Sequence, residues 1–155
     1  MTHDELVKRA GRWLRNDLNC GVVLCEMKSL LDEIPDAIGW VNNRSILVEC
    51  KTSTADFHAD LSKPFRHPDS CMALGRWRFY FAQAGIIPHD KLPDGWGLYE
   101  VNGRSVRHAA GVQYRNMADI PFESNEIGER LMLISAMRRA QSKESRCPSS
   151  NSTPR

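Results

Sequence analysis

Apolar positions along this chain follow two periods in turn. Leu6, Ala10, Trp13 and Leu14 recur at helical spacing behind Thr2-His3-Asp4-Glu5, which reads as a capping box. The first element predicted is therefore an amphipathic helix, with Glu5 and Arg9, four apart, pairing on its exposed side. Residues 16–21 end it, and the pattern changes to runs of strand length. Val22 to Met27 reads as a first strand, in which Glu26 shares a face with Val22 and Leu24. A free carboxylate is odd on such a face, so either that face is wet or Glu26 contacts a metal or a base. Two further runs, 37–40 and 46–50, are separated by Asn42-Asn43-Arg44, a turn because asparagine tolerates left-handed backbone angles.

The later part of the chain repeats the contrast. Thr52-Ser53-Thr54-Ala55-Asp56 signals a helix start directly after Lys51, and Pro64 stops that helix. Phe57 and Leu61 lie on one of its faces, Asp56 and Asp60 on a neighbouring one; Asp60 is within reach of Lys63. In residues 77–82, alternation sends Trp77, Phe79 and Phe81 to one face and Arg78, Tyr80 and Ala82 to the other. The first set reads as core and the second as a face open to substrate. A strand over 96–101, the turn Asn102-Gly103 and a return strand over 105–109 form a hairpin. Ser124 or Asn125 caps a last long helix with Ile127, Leu131, Ile134 and Met137 or Arg138 along its stripe. From about Gln141 the chain turns polar, so residues 1–141 are expected to form one domain and 142–155 a disordered tail.

Composition narrows the class. The chain has 155 residues, 41% of them hydrophobic and 26% charged, which suits one soluble domain with a real core. The net charge of +2 supplies no overall field for nucleic acid, so any basic surface has to be local. Five scattered cysteines without a CxxC pair suggest reduced thiols rather than a zinc site or a disulfide framework. No run approaches a membrane span, and no apolar signal core opens the chain, so a cytoplasmic location is expected.

The chemistry concentrates around residues 35–51. Pro35-Asp36 opens one apolar run, and Glu49-Cys50-Lys51 closes the next. Ile46, Val48 and Cys50 point one way from their strand, and Leu47, Glu49 and Lys51 the other. Were the two strands antiparallel neighbours, Asp36 at the start of one would stand near Glu49 at the end of the other. Two carboxylates and an ammonium would then meet at one sheet edge. Oxygen ligands of this kind suit hard divalent cations, and the lysine could steady or deprotonate an attacking water.

Pro35-Asp36 with Glu49-x-Lys51 resembles the signature of the PD-(D/E)xK, or restriction-endonuclease-like, nuclease superfamily. More narrowly, the chain resembles MmcB-like DNA-repair proteins and related phage and bacterial proteins. The words PDAIGW, ILVECKTSTADFHAD, KPFR, GRWRFYFA, GIIP and LPDGWGLYEV carry the likeness across roughly half the chain. It implies an α/β (α+β) fold with a central mixed sheet flanked by helices. It also implies Mg²⁺ or Mn²⁺ held by Asp36 and Glu49, with the Cys50 backbone carbonyl as a third oxygen and Glu26 as a further acid near the site. Lys51 joins Asp36 and Glu49 as catalytic residues, and DNA is the implied polymer, in repair or in phage and mobile-element processing. Arg66 and Arg78, which bracket the helix after the ExK triplet and whose forks suit phosphate, and Ser53, at the start of that helix, are the candidate phosphate contacts. RNA and a homodimer stay open. Two other readings stand beside the nuclease: a non-catalytic nucleic-acid-binding accessory protein on the same fold, and a plain ion-pair cluster at a sheet edge.

Overall fold

In a computed structural model of the protein, residues 1–28, 31–67, 69–116 and 121–144 are described. Their core is one six-stranded sheet whose spatial order follows the chain: β1 (Val22–Cys25), β2 (Ala37–Val41), β3 (Arg44–Lys51), β4 (Trp77–Ala82), β5 (Trp96–Asn102) and β6 (Ser105–Gly111). The first three strands are mutually antiparallel, β3, β4 and β5 are parallel, and β6 returns antiparallel. With helices α1 (His3–Asn16), α2 (Thr54–Leu61) and α3 (Glu126–Glu144), this is an α+β fold around a mixed sheet, as expected. Among the described residues, no helix is long and apolar enough to cross a membrane.

Each face of the sheet carries its own core. On one, Leu6, Val7, Ala10, Trp13 and Leu14 of α1 cover Ile46, Val48, Cys50, Phe79, Phe81 and Tyr99. Trp13 anchors this layer, its ring 4.9 Å from Phe81 and 4.7 Å from Tyr99. On the other, Phe57 of α2 and Met132 of α3 cover Ile38, Leu47, Tyr80, Trp96 and Leu98. Strand β4 is therefore buried on both faces, and Arg78, Tyr80 and Ala82 lie inside rather than along an open substrate face. A parallel strand in mid-sheet is covered on both sides, and alternation alone does not reveal the second cover.

Local expectations were met where the signal was chemical. Thr2 accepts from the Glu5 N–H at 3.3 Å and its own N–H donates to Glu5 Oε2 at 2.7 Å, completing the capping box. Glu5 is thereby engaged, and Arg9 instead donates to the Arg104 carbonyl. The β2–β3 turn is Asn42-Asn43, with Asn42 at φ 51°, while Arg44 already pairs with Val41 in β3. Strand β1 stops at Cys25, and Glu26 leaves it at φ 45°.

Helix α3 departs from the predicted stripe. Ile127 and Met137 are 70% and 62% exposed, and Leu131 and Ile134 are also on the surface. Residues 131–137 are apolar nearly all round the helix, so periodicity selects no face. A polar anchor selects it instead: Glu129, buried, accepts from the Gly75 N–H at 2.9 Å and from Trp40 Nε1 at 3.2 Å. Gly75 allows this approach, with φ 80° and a Cβ position only 2.5 Å from the Leu47 side chain. The helix runs through Glu144, into the stretch expected to be tail, and the rest of that expected tail lies outside the described residues.

Candidate metal and nuclease site

Strand register brings the acids together. Cys25 pairs with Ala37, and Ala37 pairs with Val48, so Asp36, one residue earlier, is flanked by Glu26 beyond β1 and Glu49 in β3. The Glu26 N–H donates to the Asp36 carbonyl at 3.0 Å, which ties the first two positions directly. Asp36 Oδ2 accepts from the Cys50 N–H at 2.7 Å. In an extended strand the N–H and C=O of one residue face the same side, so the Cys50 carbonyl also faces Asp36.

Glu49 and Lys51 follow Leu47 onto the α2 face of β3, and that face is closed. Both are buried, with exposures of 2% and 3%. Lys51 Nζ lies 3.2 Å from Glu49 Oε2 and 3.2 Å from Asp60 Oδ1. Asp60, buried on α2, also takes Arg66 Nε at 2.7 Å, the Tyr80 hydroxyl at 2.8 Å and half-exposed Lys63 at 2.8 Å. Arg66 is the hub of this network. Its other nitrogens lie 2.6 Å from Glu33 Oε1 and 3.1 Å from Glu49 Oε2, and its guanidinium lies over the Trp96 ring. Glu33 completes the set by accepting from the Leu74 N–H at 2.8 Å. Buried charges require such pairing, because each alone would carry the full cost of dehydration.

The electrostatics assign different states to these groups. Burial, then the charge of Glu49, pushes the Asp36 carboxyl up to about 6. Burial would also raise Asp60, but Arg66 through its hydrogen bond and charge, with help from Lys51, holds it well below the ordinary carboxylate range. Burial would lower Lys51; Glu49, Asp60 and Asp36 outweigh it and raise the amine. Lys51 is therefore held as a cation, suited to steadying negative charge rather than accepting a proton from water.

The remaining predicted residues are placed as follows. Arg66 and Arg78 are both buried, so neither offers its fork to a surface phosphate. Arg78 donates to the Gly75 carbonyl at 2.9 Å and the Glu123 carbonyl at 3.3 Å, and stands 4.1 Å from the Phe122 ring centre. Burial pulls it down to about 10. Ser53 caps α2, its hydroxyl accepting from the Asp56 N–H at 3.1 Å. Glu26 is exposed beside Asp36.

Sequence reasoning did not single out His3 or Glu33. His3 Nε2 lies 3.3 Å from Asp36 Oδ1 and 3.5 Å from Glu26 Oε1. Nothing in the helical pattern marks His3, which occupies the first position of α1 like any polar residue there. Glu33 lies in a connection with no periodicity at all. A small open cavity of about 190 Å³ borders Glu33 and Arg66, while the largest one described, about 770 Å³, lies between the start of α3 and Phe122, away from the acids.

No protein-family model matches the chain. No curated protein matches it. Among solved structures it is similar to a protein of unknown function from Silicibacter pomeroyi, at 19% identity, with 100% of this chain and 99% of that chain covered and a TM-score of 0.61. At that identity the likeness speaks for the fold alone.

Proposed function

We propose that this chain is a metal-dependent nuclease hydrolysing DNA phosphodiester bonds, on a restriction-endonuclease-like version of its α+β fold. The observation that carries this reading is the register: Asp36 stands beside Glu49 on the adjacent strand, with the Lys51 amine 3.2 Å from Glu49. Repair, or the processing of phage and mobile-element DNA, is the setting suggested by the resemblance of Pro35-Asp36 and Glu49-x-Lys51 to nuclease signatures.

The donor set suits a hard divalent cation such as Mg²⁺ or Mn²⁺. Glu49 Oε1 is buried without a hydrogen-bond partner, the Cys50 carbonyl faces Asp36, and Asp36 keeps one oxygen free of the sheet. A cation held by Asp36, Glu49 and that carbonyl would polarise a phosphate oxygen and lower the pKa of water. Lys51, fixed as a cation, balances charge that builds on the phosphate. Asp60 and Arg66 hold Lys51 and Glu49 in place. The start of α2, a few residues beyond Lys51, adds the positive end of a helix dipole.

A second reading has its own observation. Glu49 and Lys51 are engaged in a closed ion-pair network with Arg66 and Asp60, as in a structural core. A non-catalytic nucleic-acid-binding accessory protein would carry the same fold without needing either group free.

The test incubates supercoiled, linear and single-stranded DNA, and RNA, with Mg²⁺ or Mn²⁺, comparing native protein with Lys51→Gln and Asp36→Asn. Metal-dependent cleavage that falls by about a hundredfold or more in both variants, each folded by circular dichroism, supports the nuclease. Binding of DNA without cleavage of any substrate overturns it in favour of the accessory reading. RNA cleaved in preference to DNA overturns the choice of polymer.

A further inference from the structure

The acids at the ends of β1 and β2 have a partner from a different layer. His3 begins α1 directly after the Thr2 cap, so its backbone is fixed by the capping box and by the burial of Leu6 and Val7 on the sheet. That places its Nε2 between Glu26 and Asp36, at 3.5 Å and 3.3 Å. One donor atom from each of the three side chains lies within 4.8 Å of the other two. Such spacing suits three ligands around one ion.

The backbone presents each of these groups. Glu26 holds φ 45°, a conformation costly for a residue with a Cβ, and its N–H is tied to the Asp36 carbonyl. Asp36 turns Oδ2 to the Cys50 N–H and meets His3 with Oδ1. An independent observation comes from the neighbouring strand, where Glu49 Oε1 is buried with no donor although its residue is only 2% exposed. Glu49, opposite Asp36 in the register, thus keeps one buried oxygen without a donor while its other is paired with Lys51 and Arg66, and His3 and Glu26, 40% and 54% exposed at their side chains, leave a way in from solvent.

We infer that His3 Nε2, Glu26 and Asp36 form a binding site for a first-row transition-metal dication, Mn²⁺ or Zn²⁺, and that the imidazole makes this chain favour such ions over Mg²⁺. Mg²⁺ prefers all-oxygen octahedra and keeps its water, whereas imidazole raises affinity for ions further along the transition series. Asp36 is shared with the nuclease reading, which this inference deepens by naming its ion. Binding is measured directly, so the two readings fail separately.

The experiment is calorimetric titration of tag-free, metal-stripped full chain with MnCl₂, ZnCl₂ and MgCl₂, for native protein, His3→Gln, Glu26→Gln and Asp90→Asn. Native protein is expected to take one ion per chain, with Mn²⁺ and Zn²⁺ about tenfold or more tighter than Mg²⁺. His3→Gln is expected to weaken Mn²⁺ and Zn²⁺ by about 10–100-fold while leaving Mg²⁺ little changed. Glu26→Gln should weaken all three ions, and Asp90→Asn, at an exposed acid outside the cluster, should not weaken any of them. Pulsed electron paramagnetic resonance on the Mn²⁺ complex should detect coupling to an imidazole nitrogen that disappears in His3→Gln. Because His3 is partly exposed, thermal melts of that variant are expected to match native protein, which separates lost ligation from lost fold. No binding of Mn²⁺ or Zn²⁺, equal affinity for Mg²⁺, or unchanged affinity and nitrogen coupling in His3→Gln overturns the site. Ion binding through His3 with no cleavage of any polymer defeats the nuclease reading alone. Cleavage with Mn²⁺ that is unaffected in His3→Gln, at unchanged Mn²⁺ affinity, defeats this inference alone.

Discussion

Arg66 and Glu49 meet at 3.1 Å through Nη2 and Oε2, and Oε1 of the same carboxylate remains buried without a partner. The contact orients Glu49 by one oxygen and leaves the other. Arg66 comes from the single helical turn Pro64–Arg66 and reaches Glu33, Asp60 and Glu49 at once. It therefore joins the β1–β2 connection, α2 and β3 by one side chain.

Arg66→Ala should cost about 3–5 kcal/mol of stability, because it leaves buried carboxylates without their cation. Arg66→Lys should recover only part of this, since an ammonium cannot present three fixed nitrogens to three acids. Urea unfolding followed by tryptophan fluorescence measures both. Equal stability of native protein and Arg66→Ala would refute the hub.

Asp60 predicts an acid limb. Its native pKa lies below the ordinary value of 3.8, so the unfolded chain takes up a proton first as pH falls. Its contribution is fully present above that value and disappears progressively below it, and stability falls toward acid. Asp60→Asn should lower stability at neutral pH by leaving Lys51 and Arg66 short of a partner, and should flatten the dependence below about pH 4. Chemical denaturation from pH 2 to 7 reads the slope, and an unaltered slope in the variant would contradict the assignment.

Asp36 predicts the opposite sign. With no metal added, its native carboxyl keeps a proton up to about 6, while the unfolded one loses it near 3.8. Over that window the native state binds more protons, so this group makes stability decline as pH rises. Asp36→Asn keeps an acceptor for the Cys50 N–H and should remove the decline. Denaturation midpoints in chelator at pH 4 to 7 test it; a decline of the same size in the variant would move the cause elsewhere.

Glu129 and Gly75 predict how α3 is held. Glu129→Ala removes the acceptor of both the Gly75 N–H and Trp40 Nε1, at a cost of about 1–3 kcal/mol. Gly75→Ala places a Cβ against Leu47 in a left-handed conformation and should cost at least as much. Hydrogen exchange should rise first in α3 in both variants. By contrast, Ile127→Ala, at an exposed position, should change stability by less than about 0.5 kcal/mol.

Local chemistry was legible in the residues themselves. The Thr2–Glu5 box, the turn at Asn42-Asn43 and the Ser53 cap each depend on atoms a few positions apart, and they form as the spacing predicts, except that Arg44, expected in the turn, already belongs to β3. The antiparallel pairing of β2 with β3 was legible as a condition, because a short turn between two runs of strand length permits a hairpin, and the structure meets it. That much brings Asp36 beside Glu49. Burial at a distance was not legible. Arg66 and Arg78 are the same residue type in the same kind of context whether they face a phosphate or three carboxylates, and only the packing of α2, α3 and the β1–β2 connection over the second face of the sheet closes them in. His3 and Glu33 carry no periodic signal, so nothing along the chain joins them to residues more than twenty positions away. A sequence determines contacts within a helical turn or a hairpin through bond geometry. Which charges lose their water depends on the whole set of layers that shut over them, and that is a property of the assembled sheet.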